Sequence, residues 1–337
     1  MGSARQKRYL VTGGFGFIGS ALVRRLVREG HQVRVLDNQL RGSQDRLVDI
    51  AGAYERVDAD VRDAAAVERA AEGVDSVCHL ASVNGTEFFY TMPELVLDVG
   101  VRGMVNVIGA CLKHGVGELV VASSSEVYHA APVIPTDETA PLAVPDPSNP
   151  RYSYAACKIL NEVMALNYGR KHFQRVLVFR PHNVYGPDMG WEHVVPQFVV
   201  RMKDLCARSR GPIAFPIRGS GRETRAFCFI EDFVDGLMRV IERGQHLGIY
   251  HIGTTEEITV ETVARRVAEY FGREIALVPG EPAEGEPPRR CPDISRLKAL
   301  GYRPRYSFRE GLPIVARWYD ENAHRAPTEA GLRAHGR

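Results

Sequence analysis

Tyr154 and Lys158 stand four residues apart in Arg151-Tyr-Ser-Tyr-Ala-Ala-Cys-Lys158, and Ile159, Leu160, Val163 and Met164 continue the stretch with helical spacing. Positions i and i+4 share one helix face, so an ammonium lies beside a phenol. A free phenol has a pKa of about 10 and is a poor base at neutral pH. A fixed cation favours its phenolate. Upstream, the apolar run Leu119, Val120, Val121 ends in Ser123, Ser124, Ser125 and Glu126. Hydroxyls at a strand end, followed by a Tyr/Lys pair, suit proton removal from an alcohol as it is oxidised. Alone, a Tyr-x-x-x-Lys spacing more often marks an interfacial aromatic and a solvated charge. The rest of the chain decides between them.

The elements that must position these residues alternate. Tyr9-Leu-Val-Thr12 reads as a buried strand, and Gly13, Gly16 and Gly19 follow at spacings of three before a helix carrying Leu22, Val23, Leu26 and Val27 on one face. Glycines at such a strand-to-helix turn permit the tight bend, a close backbone approach to a pyrophosphate and close helix packing. The helix N-terminus then faces the phosphates. Gln32–Leu36 is the next strand, ending at Asp37, whose carboxylate suits the ribose hydroxyls of NAD and repels the 2′-phosphate of NADP. Arg41 reads as a solvated loop arginine. Val57–Asp63 is a third strand entering a helix, with Asp60 and Val61 beside an adenine; Ser76–Ser82 is a fourth, and His79 within it is a packed core histidine. Asn84–Tyr90 is expected as a loop reaching substrate, and Leu95–Cys111 as a helix. The pattern predicts an α/β fold, a Rossmann-type doubly wound parallel sheet with a smaller C-terminal α/β lobe. Residues 1–182 form the dinucleotide-binding domain, to which 225–247 return; 183–224 and 248–320 form the substrate lobe, and 321–337 a mobile tail.

Composition excludes several classes. The chain has 337 residues, a net charge of +2 and no basic run, which argues against nucleic acid as a partner. Its six cysteines are scattered, without Cys-x-x-Cys or metal-ligand spacing, so a reduced, cytoplasmic protein without a metal is expected. The polar start lacks the apolar core of a signal peptide, Gln6 spoils a myristoylation match, and no apolar run reaches the length of a membrane span.

Taken together, Thr12–Gly19, Asp37, Asp60, His79-Leu-Ala81, the serine cluster, Tyr154–Lys158, Asn183-Val-Tyr-Gly-Pro187, Gly219–Arg225 and Arg290-Cys-Pro-Asp293 resemble an extended short-chain dehydrogenase/reductase of the nucleotide-sugar epimerase/dehydratase group, over residues 8–319. The resemblance implies NAD that is reduced and reoxidised within one cycle, a nucleoside-diphosphate sugar substrate oxidised at C4, and a homodimer. The cofactor set it implies is Gly13, Gly16, Phe17, Ile18, Gly19, Asp37, Asn38, Asp60, Val61, Leu80, Ala81, Ser82, Tyr154 and Lys158. The implied catalytic set is Ser124, Ser125, Glu126, Tyr154 and Lys158, with Tyr154 as base. Thr86, Asn183, Glu192, His193, Arg225 and Arg290 are implied for substrate, the arginines for its phosphates. Ser125-Glu126 is similar to dehydratases and uronic acid decarboxylases, in which the glutamate works beside C4; a C4 ketone acidifies the C5 proton, which a carboxylate can take. Simple 4-epimerisation is the alternative. A net NAD(P)H reductase and a catalytically inactive NAD-sensing binding protein are the further rivals, against which Asp37 and the intact Tyr/Lys pair count. GDP-mannose 3,5-epimerases are similar around Tyr185–Trp191, but Glu192 and His193 stand where they carry a lysine. Gly100 replaces a common asparagine, and Met104 a common threonine.

Overall fold

The computed structural model describes residues 6–281 and 287–326. In β1 (Arg8–Thr12) four of five residues are buried, and the glycine turn carries the chain into α1 (Phe17–Arg28). The alternation continues through β2 (Gln32–Asp37), β3 (Glu55–Asp58), α2 (Ala64–Ala71), β4 (Ser76–His79), α3 (Thr86–Thr91), α4 (Pro93–His114), β5 (Glu118–Ala122), α5 (Ser153–His172) and β6 (Arg175–Pro181). Next come β7 (Val184–Tyr185), α6 (Val194–Arg208), β8 (Ile213–Pro216), β9 (Thr224–Ala226), β10 (Cys228–Phe229), α7 (Ile230–Arg243) and β11 (Gly248–Ile252). The chain closes with β12 (Glu257–Thr259), α8 (Val260–Tyr270), β13 (Ile275–Val278), β14 (Arg289–Arg290), α9 (Ser295–Ala299) and α10 (Phe308–Glu321).

Seven strands form one parallel sheet in the order β11-β6-β5-β4-β1-β2-β3. Thr12 pairs with both Leu36 and His79, His79 with Val121, and Ala122 with Phe179, so the strands end at a common edge. Chain direction across the sheet reverses between β1 and β4, and the crevice outside that point is where such sheets bind ligands. Continuous apolar runs such as Leu119–Val121 and Val176–Phe179 follow from helices covering both faces. One apolar cluster, from Val11 and Leu22 through Phe233 to Val263 and Val315, joins the sheet to the second lobe; another, with Val77, Val107 and Val121, lies under α2, α4 and α5. Beneath the ends of β5 and β6, Arg180 and Glu162 form a fully buried ion pair at 2.6 Å, and Arg180 also reaches Tyr128.

The second lobe holds β12-β9-β14 and the parallel pair β13-β8, with α6, α8 and α10 packed on one another. Residues 248–252, expected there, instead form β11 at the edge of the main sheet, because Gly248–Ile252 pairs in register with Leu177–Pro181. Between them α7 returns to the sheet, where it packs on α1 and β6. Asn84–Tyr90 is not wholly loop: α3 starts after Gly85 (φ +142°) and turns Phe89 inward to stack on Tyr154 at 5.2 Å. Against expectation, α4 is long and apolar enough to cross a bilayer; here half of that window is buried, against α2 and α5. The expected tail begins with the end of α10 and a short turn at Ala323–Arg325, and its residues 327–337 lie outside the described part.

Candidate active site

The glycine turn leaves no room for side chains. Gly13 (φ +71°) lies so close to β4 that a Cβ there would sit 2.8 Å from the Ala81 backbone, and one on Gly19 would sit 2.1 Å from the Gly13 carbonyl oxygen. The cleft beyond has two adjoining parts. The first, about 100 Å³, is lined by Gly13, Gly16, Asp37, Asn38, Asp60, Val61, Leu80, Ala81 and Ser82. The second, about 800 Å³, is lined by Gly13, Gly16, Phe17, Ile18, Gly19, Leu80, Ser82, Tyr154, Lys158, Glu192 and His193, among others. The structure thus gathers every residue of the expected cofactor set along one cleft. These residues fit a dinucleotide: bare glycine backbone and the α1 N-terminus suit a pyrophosphate, and Asp37 stands at the end of β2. Asp37 is buried, which raises its pKa, while it accepts from the backbone N–H of Gln39 (2.6 Å) and Phe15 (2.9 Å). Its remaining lone pairs are open to hydroxyl donors. Asp60 is committed elsewhere, to Arg62 (2.9 Å) and Asn38 (2.7 Å). His79 is a core residue, with Nδ1 2.8 Å from the Thr12 hydroxyl and its pKa pushed down to about 3 by burial.

Tyr154 and Lys158 share the inner face of α5. Tyr154 is 7 % exposed, and burial pushes its phenol up to about 12 against the opposing pull of the Ser124 and Ser82 hydroxyls. Lys158 Nζ donates to the Ala122 carbonyl at 2.9 Å, lies 5.5 Å from the Tyr154 ring centre, and is pushed down to about 8 by burial. A fixed cation was expected to favour the phenolate; in the structure burial, the largest cause, raises the phenol's pKa instead. In the protein by itself, desolvation of both groups outweighs their proximity.

Glu126 is ringed by arginines. Ser124 caps the turn Ser125–Tyr128, its Oγ accepting from the Glu126 N–H at 3.1 Å. From there the Glu126 carboxylate meets Arg290 at 2.7 Å and Arg151 at 3.7 Å. Burial would raise its pKa, but Arg290, Arg151 and Arg225 together hold it below the usual carboxylate range. Arg290 is brought there by β14, which pairs in parallel with β9 so that Arg290 stands beside Arg225. Arg151 was absent from the expected site; its place in a short turn just before α5, three residues ahead of Tyr154, was the signal available.

Other expected residues lie less simply. Glu192 and His193 line the cofactor cleft, and Glu192 is bonded to Arg41 at 3.1 Å, so Arg41 is not a solvated loop residue. Asn183 has φ +37° and a buried amide nitrogen without a partner among the described residues. Thr86 is the first residue of α3, and it is the neighbouring Glu87 and Phe88 that line the cleft. Gly100 lies where a Cβ would be 2.9 Å from the Cys157 side chain, so the space of the expected asparagine is filled from α5. Asn161, with its amide turned to donate, reaches the Gly100 carbonyl at 3.1 Å.

Residues 9–253 match the NAD dependent epimerase/dehydratase family. The chain belongs to that family. Among its relatives, UDP-glucuronic acid decarboxylase 6 of Arabidopsis thaliana is 34% identical over 314 residues, covering 91% of this chain and 87% of the relative. A dTDP-glucose 4,6-dehydratase of Streptomyces antibioticus is 31% identical over 322 residues, covering 93% and 92%. The solved dTDP-glucose 4,6-dehydratase of Streptomyces venezuelae, with NAD and TYD bound, superposes with a TM-score of 0.83 at 30% identity, covering 95% of this chain and 98% of that one. The UDP-glucose 4-epimerase of Thermus thermophilus, in complex with NAD, gives 0.79 at 29% identity over 93% and 98%. This family member is an NAD-dependent enzyme of nucleoside-diphosphate sugars, and its cleft is built for that cofactor.

Proposed function

We propose that this enzyme decarboxylates a nucleoside-diphosphate uronic acid through a transient ketone at C4, with UDP-glucuronic acid as the first substrate to test. The observation that carries the reading is the Glu126 carboxylate held ionised among Arg290, Arg151 and Arg225. Dehydration at C5 and C6 needs an acid for the departing hydroxyl besides a base at C5; Glu126, held ionised by the arginines, suits only the base, and its neighbour Ser125 offers no carboxylic acid. Loss of CO2 needs no such donor. Once C4 is a ketone, the C6 carboxylate belongs to a β-keto acid; the C5–C6 bond breaks, its electron pair delocalises onto the C4 oxygen, and C5 takes a proton from solvent. NAD when bound supplies the oxidation at C4 and reverses it at the end. Ser124 and Tyr154 hold the C4 hydroxyl and move its proton, Lys158 keeps the local charge positive, and the arginines receive the carboxylate and diphosphate. That uronic acid decarboxylases, six of them from Arabidopsis thaliana, stand among its relatives supports the same reading.

We also assign a cytoplasmic homodimer. Leu97 and Val105 of α4, with Leu160 and Val163 of α5, expose a joint apolar face suited to a second copy, and all six cysteines are free. To test the chemistry, the purified enzyme is incubated in deuterated water with UDP-glucuronic acid and, separately, with dTDP-glucose and UDP-glucose. The reading expects CO2 and a pentose nucleotide carrying deuterium at C5 from the first alone. A 4-keto-6-deoxy product from either hexose would replace it with dehydration, and C4 inversion without deuterium would replace it with epimerisation.

A further inference from the structure

The two sides of the cofactor cleft are bridged by side chains from separate lobes. Arg41 follows β2 and lines both parts of the cleft, so it stands where the smaller cavity opens into the larger. From the opposite side, Glu192 receives it through two bonds, Nη1 to Oε1 at 3.1 Å and Nη2 to Oε2 at 3.4 Å. The guanidinium also lies over the Phe88 ring of α3 at 4.9 Å. Both supporting segments are tethered. Arg46 bonds the Phe15 carbonyl of the glycine turn at 3.0 Å and pairs with Asp188 at 2.9 Å. Tyr319 donates to the Gly190 carbonyl at 2.7 Å, and Trp191 packs edge-on against Tyr319 at 5.0 Å.

We infer that the Arg41–Glu192 bridge is a clasp that retains NAD in the cleft from one turnover to the next. Arg41 borders both cavities and Glu192 the larger one, so the bridge stands beside a cofactor that fills them, and its opening would ease the cofactor's departure. Retention matters for a reaction that returns its hydride: an enzyme that loses the reduced cofactor halfway is left with a stranded ketone. Arg41 and Glu192 are positioning residues in this scheme, acting on the lifetime of the bound state rather than on the reacting atoms. The bidentate fork–fork geometry and the stacking on Phe88 distinguish the bridge from an ordinary surface ion pair.

The test measures exchange of bound NAD for isotopically labelled NAD in the holoenzyme, by rapid gel filtration and mass spectrometry. Glu192→Gln and Arg41→Gln should each release NAD roughly fivefold faster, the size expected of a half-exposed ion pair at the upper end of its range. The double variant should be no faster than the faster single one, because both remove the same contact. In the wild type, exchange should accelerate more steeply between about 0.05 and 1 M salt than in Glu192→Gln, since screening opens the bridge. Unchanged exchange in Glu192→Gln overturns the inference, even if Arg41→Gln is fast, because Arg41 would then act on NAD directly. Multiplicative effects in the double variant overturn it too. If either variant fails to fold, the wild-type salt series decides: exchange that does not respond to salt refutes the clasp.

Discussion

Lys158→Met should make the cofactor-free protein more stable at neutral pH while abolishing turnover. Lys158 is 3 % exposed, and its amine is pushed down from an ordinary value of 10.5 to about 8, with burial the largest cause. That gap corresponds to about 3 kcal/mol by which the fold disfavours the charged amine. For a base with a depressed folded pKa, the penalty is fully present below the folded value and fades as pH rises towards the unfolded one. Methionine has similar bulk and no charge, so the substitution lifts the penalty. It also removes the bond to the Ala122 carbonyl, which offsets roughly 1 to 2 kcal/mol. The net gain at pH 7 is therefore about 1 to 2 kcal/mol. Between pH 8 and 10.5 the wild type sheds its own penalty, and the difference should shrink by about 3 kcal/mol and change sign. Urea denaturation of both stripped proteins at several pH values reads this directly, since other groups titrate alike in each. A difference that stays flat from pH 7 to 10.5 would refute the reasoning, as would a variant less stable at pH 7.

Tyr154→Phe should fold and retain NAD but lose on the order of 10² to 10⁴ in turnover, measured with saturating nucleotide sugar. Asp37→Asn removes the negative charge that opposes a 2′-phosphate, and competitive titration should show NADP binding gaining on NAD. Gly100→Asn should destabilise by roughly 1 to 3 kcal/mol in thermal or urea unfolding, because its Cβ meets the Cys157 side chain at 2.9 Å. Adding Cys157→Gly relieves the clash but costs about 1 kcal/mol of helix stability within α5, so only part of the loss should return.

What the sequence made legible was what local spacing encodes. The turn Gly13-Gly16-Gly19, the strand ending at Asp37 and the i, i+4 pair on α5 each carry their geometry within a few residues. Their assembly along one cleft follows from strand alternation. Partnerships across the lobes were not legible. Arg41 and Glu192 lie 151 positions apart, and Glu126 and Arg290 lie 164 apart, so no local pattern links either pair. Proximity in sequence did not expose Arg151 either, since its role depends on which way a short turn directs the side chain. β11 shows the same limit: whether Gly248–Ile252 belongs to one lobe or the other is decided by the free edge of β6, a fact of pairing rather than of composition. The Tyr154 phenol is the opposite case, in which spacing was read correctly and burial reversed the expected electrostatic consequence.

The placement of β11 has a consequence for biogenesis. β6 ends at Pro181 and its outer neighbour begins at Gly248, so the ribosome must add the intervening residues before that edge of the sheet can close. At ordinary translation speeds this takes roughly 3 to 13 s. Through that interval the nascent chain carries an apolar strand, Val176–Phe179, whose outer row of N–H and C=O groups has no partner. Such an edge invites pairing with another chain, and charged residues and proline are what deter it. Arg175, Arg180 and Pro181 flank the apolar run. Arg180, buried against Glu162 in the finished fold, and Pro181 thus end this run in the residue types that deter such pairing.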